Sequence, residues 1–128
     1  MTQIWKGNKV TPVTLLKTDD EIDVEEGSKV TLRGITKGKG FQGVVKRHGF
    51  HGGPKTHGQK HSLRAPGSIG ATAPQRVIPG RKMAGRMGSD TKTLREVEVV
   101  QVRKEAKTIA VKGPVPGMKG SKVEIIWK

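Results

Sequence analysis

Apolar and polar residues alternate in short runs near both ends of this chain. Gln3-Ile4-Trp5-Lys6 and Lys9 to Leu16 are two apolar or β-branched runs separated by Gly7-Asn8, which predicts a β-hairpin. Pro12 has no N–H to give a ladder, so the second run is expected at a sheet edge or at a bulge. Lys29 to Ile35 alternates at period two. Leu94 to Arg103 alternates more clearly, with Val97, Val99 and Gln101 on one face and Glu96, Glu98 and Val100 on the other. Lys107 to Lys112 follows a short polar turn, so a second hairpin is predicted over 94–112. Pro114-Val115-Pro116-Gly117 forces a loop, and Lys122 to Trp127 reads as the last strand. About six short strands with tight turns and little helix predict a mainly β fold, a small antiparallel barrel or sandwich.

The middle of the chain follows another pattern. Phe41, Val44 and Val45 share one face at helical spacing, which predicts one or two helical turns over Phe41 to Arg47. Beyond them Gly49, Gly52, Gly53, Pro54, Gly58, Pro66, Gly67 and Gly70 interrupt the chain too often for regular structure. Only 8 of the 56 residues in 37–92 are Leu, Ile, Val or Phe, against 21 of 72 elsewhere, so the flanks hold the core-forming residues. The expected organisation is a discontinuous β domain, 1–36 with 93–128, and an irregular insertion over 37–92. An unstructured stretch of that length is expected to be functional or to fold on a partner.

Charge sharpens this division. The chain carries 25 Lys plus Arg and 11 Asp plus Glu, a formal net charge of +14 over 128 residues. Residues 1–26 are acidic at −3, and 27–89 hold 13 Lys or Arg and no acid; 90–128 carry +4. All four His and 14 of the 18 Gly fall within that acid-free stretch. Solubility does not require so long a block of one sign, and such blocks are typical of polyanion-binding segments. With no Cys, disulfides, thiolate nucleophiles and zinc-ribbon sites are excluded. No apolar run approaches the ~18 residues of a membrane span. The first fifteen residues include Lys6, Asn8 and Lys9 and have no apolar core, so no signal peptide is expected and a soluble, cytoplasmic protein is.

Several motifs in the basic stretch suggest chemistry that their context does not support. Gly38-Lys39-Gly40-Phe41-Gln42-Gly43 matches the dinucleotide pattern GxGxxG, but no long helix follows and no acid lies between it and Asp90. The same stretch resembles the aromatic motif of RRM sheets, with Gln42 and Val45 where aromatic rings should stack. With two Phe, two Trp and no Tyr, base stacking is nearly unavailable, which leaves phosphate, sugar and shape to be read. His48, His51, His57 and His61 have metal-like spacing, yet Gly and Pro prevent a helix and neighbouring cations would repel a dication. They are expected to donate to phosphate or ribose, with no metal or other cofactor. Ser62, Ser68, Ser89 and Thr56 lack an acid to orient a base, so no catalytic residue is expected and the chain is not expected to be an enzyme.

The residues expected to contact RNA are therefore cations and glycines. Lys37, Lys39, Lys46, Lys55, Lys60 and Lys82 act as point charges, and Arg47, Arg64, Arg76, Arg81 and Arg86 as planar forks, beside the four His. Gly38, Gly40, Gly43, Gly67, Gly70, Gly80 and Gly85 allow backbone N–H groups to approach phosphates.

Longer motifs make the reading specific. Thr36-Lys37-Gly38-Lys39-Gly40-Phe41-Gln42-Gly43-Val44-Val45-Lys46-Arg47-His48 closely resembles a signature of the universal large-subunit ribosomal protein three family. Pro66-Gly67-Ser68-Ile69-Gly70, Gly80 to Gly88 and Val111 to Gly117 resemble its other hallmarks in order and spacing, and Met1 to Trp5 its first strand. The likeness covers 29–127 almost continuously and roughly 1–16, and it fits the bacterial or organellar branch. It implies a translation-protein-like β-barrel seated on large-subunit rRNA. It also implies an extension, residues 37–92 with its tip near Ala71 to Pro79, that threads toward the peptidyl transferase region. A role in subunit assembly, contacts with neighbouring large-subunit proteins, and a place on the cytoplasmic or an organellar ribosome are implied too. The chain is shorter than such proteins: acidic Thr18 to Glu26 stands where they carry a longer stretch, and Ala73-Pro74-Gln75 departs from their pattern. The competing readings are a generic nucleic-acid-binding architectural protein and, more remotely, a His-metal enzyme.

Overall fold

In the computed structural model, residues 1–127 are described; Lys128, the last residue of the expected 93–128 segment, lies outside them. The Gly7-Asn8 turn joins β1 (Thr2–Lys6) to β2 (Lys9–Lys17), with Lys6 opposite Lys9 and Gly7 in the left-handed region at φ 58°. The remaining main strands are β3 (Lys29–Ile35), β6 (Thr91–Arg103), β7 (Thr108–Lys112) and β8 (Val123–Ile126). All pairings are antiparallel, in the order β1-β2-β7-β6-β3-β8. The fold is mainly β, as its alternating runs predict. The sheet is open rather than closed, with β1 and β8 at its two edges.

The 13-residue β6 joins the two halves of this sheet. Its first part pairs with β3 and its last part with β7. Two register shifts allow this. Val30 faces Val97 while Leu32 faces Leu94, so β6 gains a residue there, beside Glu96 at φ 55°. Val99 faces Val111 while Gln101 faces Ala110, which leaves Val100 as the extra residue. Each inserted residue bends and twists the strand. Leu94, Val97, Val99 and Val102 therefore reach one core despite their uneven spacing.

That core is built on Val30, Leu32, Val99, Ile109 and Val111, and a smaller cluster gathers Val13, Val100 and Ala110 against Ile4. Ile22 and Val24, from the acidic stretch, complete the larger core. They alternate with exposed Glu21, Asp23 and Glu25, so this segment is a half-buried strap rather than a free acidic loop. Backbone bonds from Thr18 N–H to Lys107 (3.0 Å) and Gly27 N–H to Val99 (2.8 Å) hold its ends, and the Val102 N–H donates to Glu26 Oε1 at 3.0 Å.

Two expectations are corrected. β2 is not an edge strand: it lies between β1 and β7. Pro12 is tolerated because the β7 ladder begins one residue later, at Val13 opposite Lys112, so that side asks nothing of its missing N–H. Phe41 is not helical either. It sits in β4 (Phe41–Gln42) and is 76% exposed, while α1 spans only Val44–His48.

The chain divides into two compact units, residues 1–37 with 90–128 and residues 38–89. The first contains the six-stranded sheet and both apolar clusters.

Candidate nucleic-acid interface

Residues 38–89 contain ten Lys or Arg and no acid. Their regular structure is small: β4 pairs with β5 (Gly85–Arg86), and α1 lies between them in sequence. Residues 49–84 form turns and irregular chain. Lys39 N–H donates to the Met87 carbonyl at 2.9 Å and Met87 N–H to Gly40 at 3.0 Å, which extends the β4–β5 pairing. Gly43 precedes α1 with extended backbone and Gly49 ends it in the left-handed conformation, φ 73°, its N–H on the Val45 carbonyl. Lys46, Arg47 and His48 fill the last turn, where the partial negative charge of the helix end favours cations.

Val44 is the one buried side chain of this unit. Phe41, Leu63, Ile69, Val77, Ile78 and Met83 are all exposed. A unit with one buried valine lacks the apolar burial that offsets the entropy of ordering its chain. Local hydrogen bonds from side chains and from the main chain hold it instead. Arg47 Nη1 donates to the Met83 carbonyl at 2.7 Å, and His48 Nε2 donates to the same oxygen at 3.0 Å. Arg81 donates to the Ser68 carbonyl, and Ser68 Oγ to the Gly70 carbonyl. Gly53 N–H is shared between the carbonyls of Ser62 and Leu63, closing the loop 53–62.

These bonds sort the expected RNA-contacting residues. Lys39, Lys46, His51, Lys55, His57, Lys60, His61, Arg64, Arg76, Lys82 and Arg86 are exposed. Lys37 is also exposed and closes the first unit, just after β3. Arg47, His48 and Arg81 each spend a donor inside the protein. Among the glycines, Gly40, Gly67 and Gly80 have positive φ and open space where a Cβ would stand, and Gly43 has open space. A Cβ on Gly70 would lie 3.4 Å from the Arg76 carbonyl oxygen. A Cβ on Gly38 would lie 2.9 Å from Ser89 Oγ and one on Gly85 2.8 Å from Arg47 Nη1, both side-chain ends that would have to turn aside. Met83 was legible only as an apolar residue among bases. Its carbonyl is the anchor for α1, and no sequence signal marks a backbone acceptor 35 and 36 residues away from its donors.

The three ion pairs among the described residues, Lys29–Glu96, Arg33–Glu124 and Lys112–Glu98, all lie in the sheet-bearing unit. The cations of 38–89 therefore have no ion-pair partner among the described residues, and all but Arg47 are exposed. Phosphate is the anion that such a surface of lysine points and arginine forks accommodates best, with sequence read through shape.

Comparison with known proteins gives a consistent answer. Residues 14–123 match the family model described as Ribosomal protein L3. The large ribosomal subunit protein uL3 of Chlorobaculum parvum is 56% identical over 102 residues, covering 79% of this chain and 49% of its own length. That of Chlorobium limicola is 49% identical over 115 residues, covering 87% and 55%. The Bacillus mycoides protein is 50% identical over 113 residues, covering 86% and 53%. The chain spans about half the length of the curated relatives it matches.

Proposed function

Since the chain belongs to the ribosomal protein L3 family, we propose that it is a non-enzymatic, structural constituent of the large ribosomal subunit, binding large-subunit rRNA through residues 37–92. The observation that carries this reading is the unit 38–89, with ten cations, no acid and a single buried side chain. Such a segment has little to fold around on its own and much to gain from a polyanionic surface, so it orders fully on rRNA. The sheet-bearing unit, with its own core, acts as the anchor. Exposed lysines displace condensed counterions from phosphates, and Arg64, Arg76 and Arg86 add forks that match phosphate oxygens or purine edges. Arg47, His48 and Arg81 shape the segment from within. By family likeness the segment reaches toward the peptidyl transferase region, contributes to subunit assembly on the ribosome and meets neighbouring large-subunit proteins.

Competition binding tests the reading. Labelled large-subunit rRNA is challenged with unlabelled rRNA and with duplex DNA of equal phosphate concentration. The expected result is that DNA competes at least about tenfold less well, a threshold well short of the roughly 10³–10⁷ gap usual between specific and non-specific binding. Equal competition would instead identify a generic cationic nucleic-acid binder.

A further inference from the structure

The acidic strap and the open side of the sheet lie outside residues 37–92, and they meet at one place. β1 covers β2 only over Lys9–Val13, so among the described residues the outer edge of Thr14–Lys17 has no strand partner. Among the same residues β8 pairs with β3 alone, which leaves its outer edge unpaired. Between these edges runs a groove of about 760 Å³ whose apolar lining includes Leu16, Ile22, Ile109, Val123, Ile125 and Trp127. A second groove of about 530 Å³ shares Leu15, Leu16, Gly120, Ser121 and Val123 with it and continues it toward Met1 and Met118. Leu15 is 56% exposed and Trp127 42%, so large side chains stand open along its length.

The charge around the first groove reverses that of the chain. Asp19, Asp20, Glu21 and Glu124 line it against Lys17 and Lys122, a side-chain balance of −2 in a protein of +14, and Lys119 in the continuation leaves −1. Nucleic acid is repelled from such a wall and gains nothing from an aliphatic floor. A row of free N–H and C=O groups on each side suits an extended peptide, whose alternate side chains would enter the groove while the others face the rim.

We propose that this groove is a strand-acceptor site for an extended, basic polypeptide segment of another protein, with apolar residues at alternate positions and lysine or arginine between them. The site lies in the sheet-bearing unit and does not depend on the rRNA reading.

The test uses RNA-free protein carrying Trp5→Phe, so that Trp127 is the sole indole. Trp5 is opposite Val10 in the hairpin and does not line the groove. The probes are two capped peptides of about nine residues, one alternating valine with lysine and one valine with glutamate. Binding is followed by Trp127 fluorescence and amide hydrogen exchange. The expected result is a blue shift of Trp127 emission with the valine–lysine peptide, and slowed exchange at both 14–17 and 123–126. The valine–glutamate peptide and the variant Asp19→Lys/Asp20→Lys/Glu21→Lys are each expected to bind about tenfold or more weakly. Those three carboxylates are exposed and make no ion pair, so the variant retains its fold. The net charge of the protein favours the glutamate peptide, so the sign of the preference discriminates. Stronger binding of that peptide, or no slowed exchange at the two edges, overturns the proposal. So does protection of these edges by a single-stranded oligoribonucleotide, or a concentration-dependent dimer that buries Trp127.

Discussion

Glu98 shows how a single residue responds to the basic character of this protein. Lys112 donates to its Oε2 at 2.6 Å, and this bond, with the charge of Lys112 and of Lys6 and Lys9 beyond it, holds the carboxyl below the usual carboxylate range. A carboxyl lowered by folding stabilises the native state above its unfolded pKa, and that contribution is lost as pH falls through the folded value. Carboxyl NMR titration should therefore place Glu98 below an unpaired surface glutamate, and Lys112→Ala should move it upward. The glycines separate by environment in the same manner. Gly52 has φ +77°, and a Cβ there would run into the Leu63 carbonyl, so Gly52→Ala should disturb the 49–65 turns by about 1–3 kcal/mol. Gly43, with extended backbone and open space, should accept alanine within about 0.5 kcal/mol. Limited proteolysis of the two variants in parallel measures the contrast.

At the scale of elements, legibility followed burial. Lys29 to Ile35 was readable because Val30, Leu32 and Gly34 are buried and the residues between them are not. β6 was readable as a strand but not in its register, because an inserted residue such as Val100 leaves composition unchanged and only shifts faces. Ile22 and Val24 alternate with acids in plain view, yet the run of carboxylates hid a strap that closes the core. Phe41 had helical spacing with Val44 but lies in a two-residue strand, since its partner Arg86 is 45 positions away in sequence and invisible to local periodicity. The candidate site was legible as charge, and the inward turn of Arg47 and His48 toward Met83 was not. Leu32, fully buried where β3 meets β6 and β8, is the element-level test of the core. Leu32→Ala should cost about 2–5 kcal/mol in chemical denaturation.

At the scale of the whole molecule, charge and burial are distributed oppositely. Every described ion pair and all but one of the buried side chains belong to the sheet-bearing unit, and 38–89 holds unpaired cations around a single valine. One chain thus joins a sheet with its own apolar core to a basic segment that has almost none. The acids are also segregated, six of the 11 within Asp19 to Glu26, on a strap that borders the open side of the sheet. The two proposed partners, rRNA and a basic peptide, accordingly carry opposite charge.

The central claim is that 38–89 binds rRNA by neutralising phosphates, and salt dependence tests it most directly. The measurement is the affinity for large-subunit rRNA across a range of monovalent salt. Each phosphate neutralised contributes about 0.7–0.9 to the slope of log affinity against log salt, so a slope steeper than about −4 is predicted. Replacing Lys39, Lys55 and Arg64 together with glutamine should flatten it by roughly 2–3. A slope near zero, or one unchanged by that triple substitution, would contradict the account.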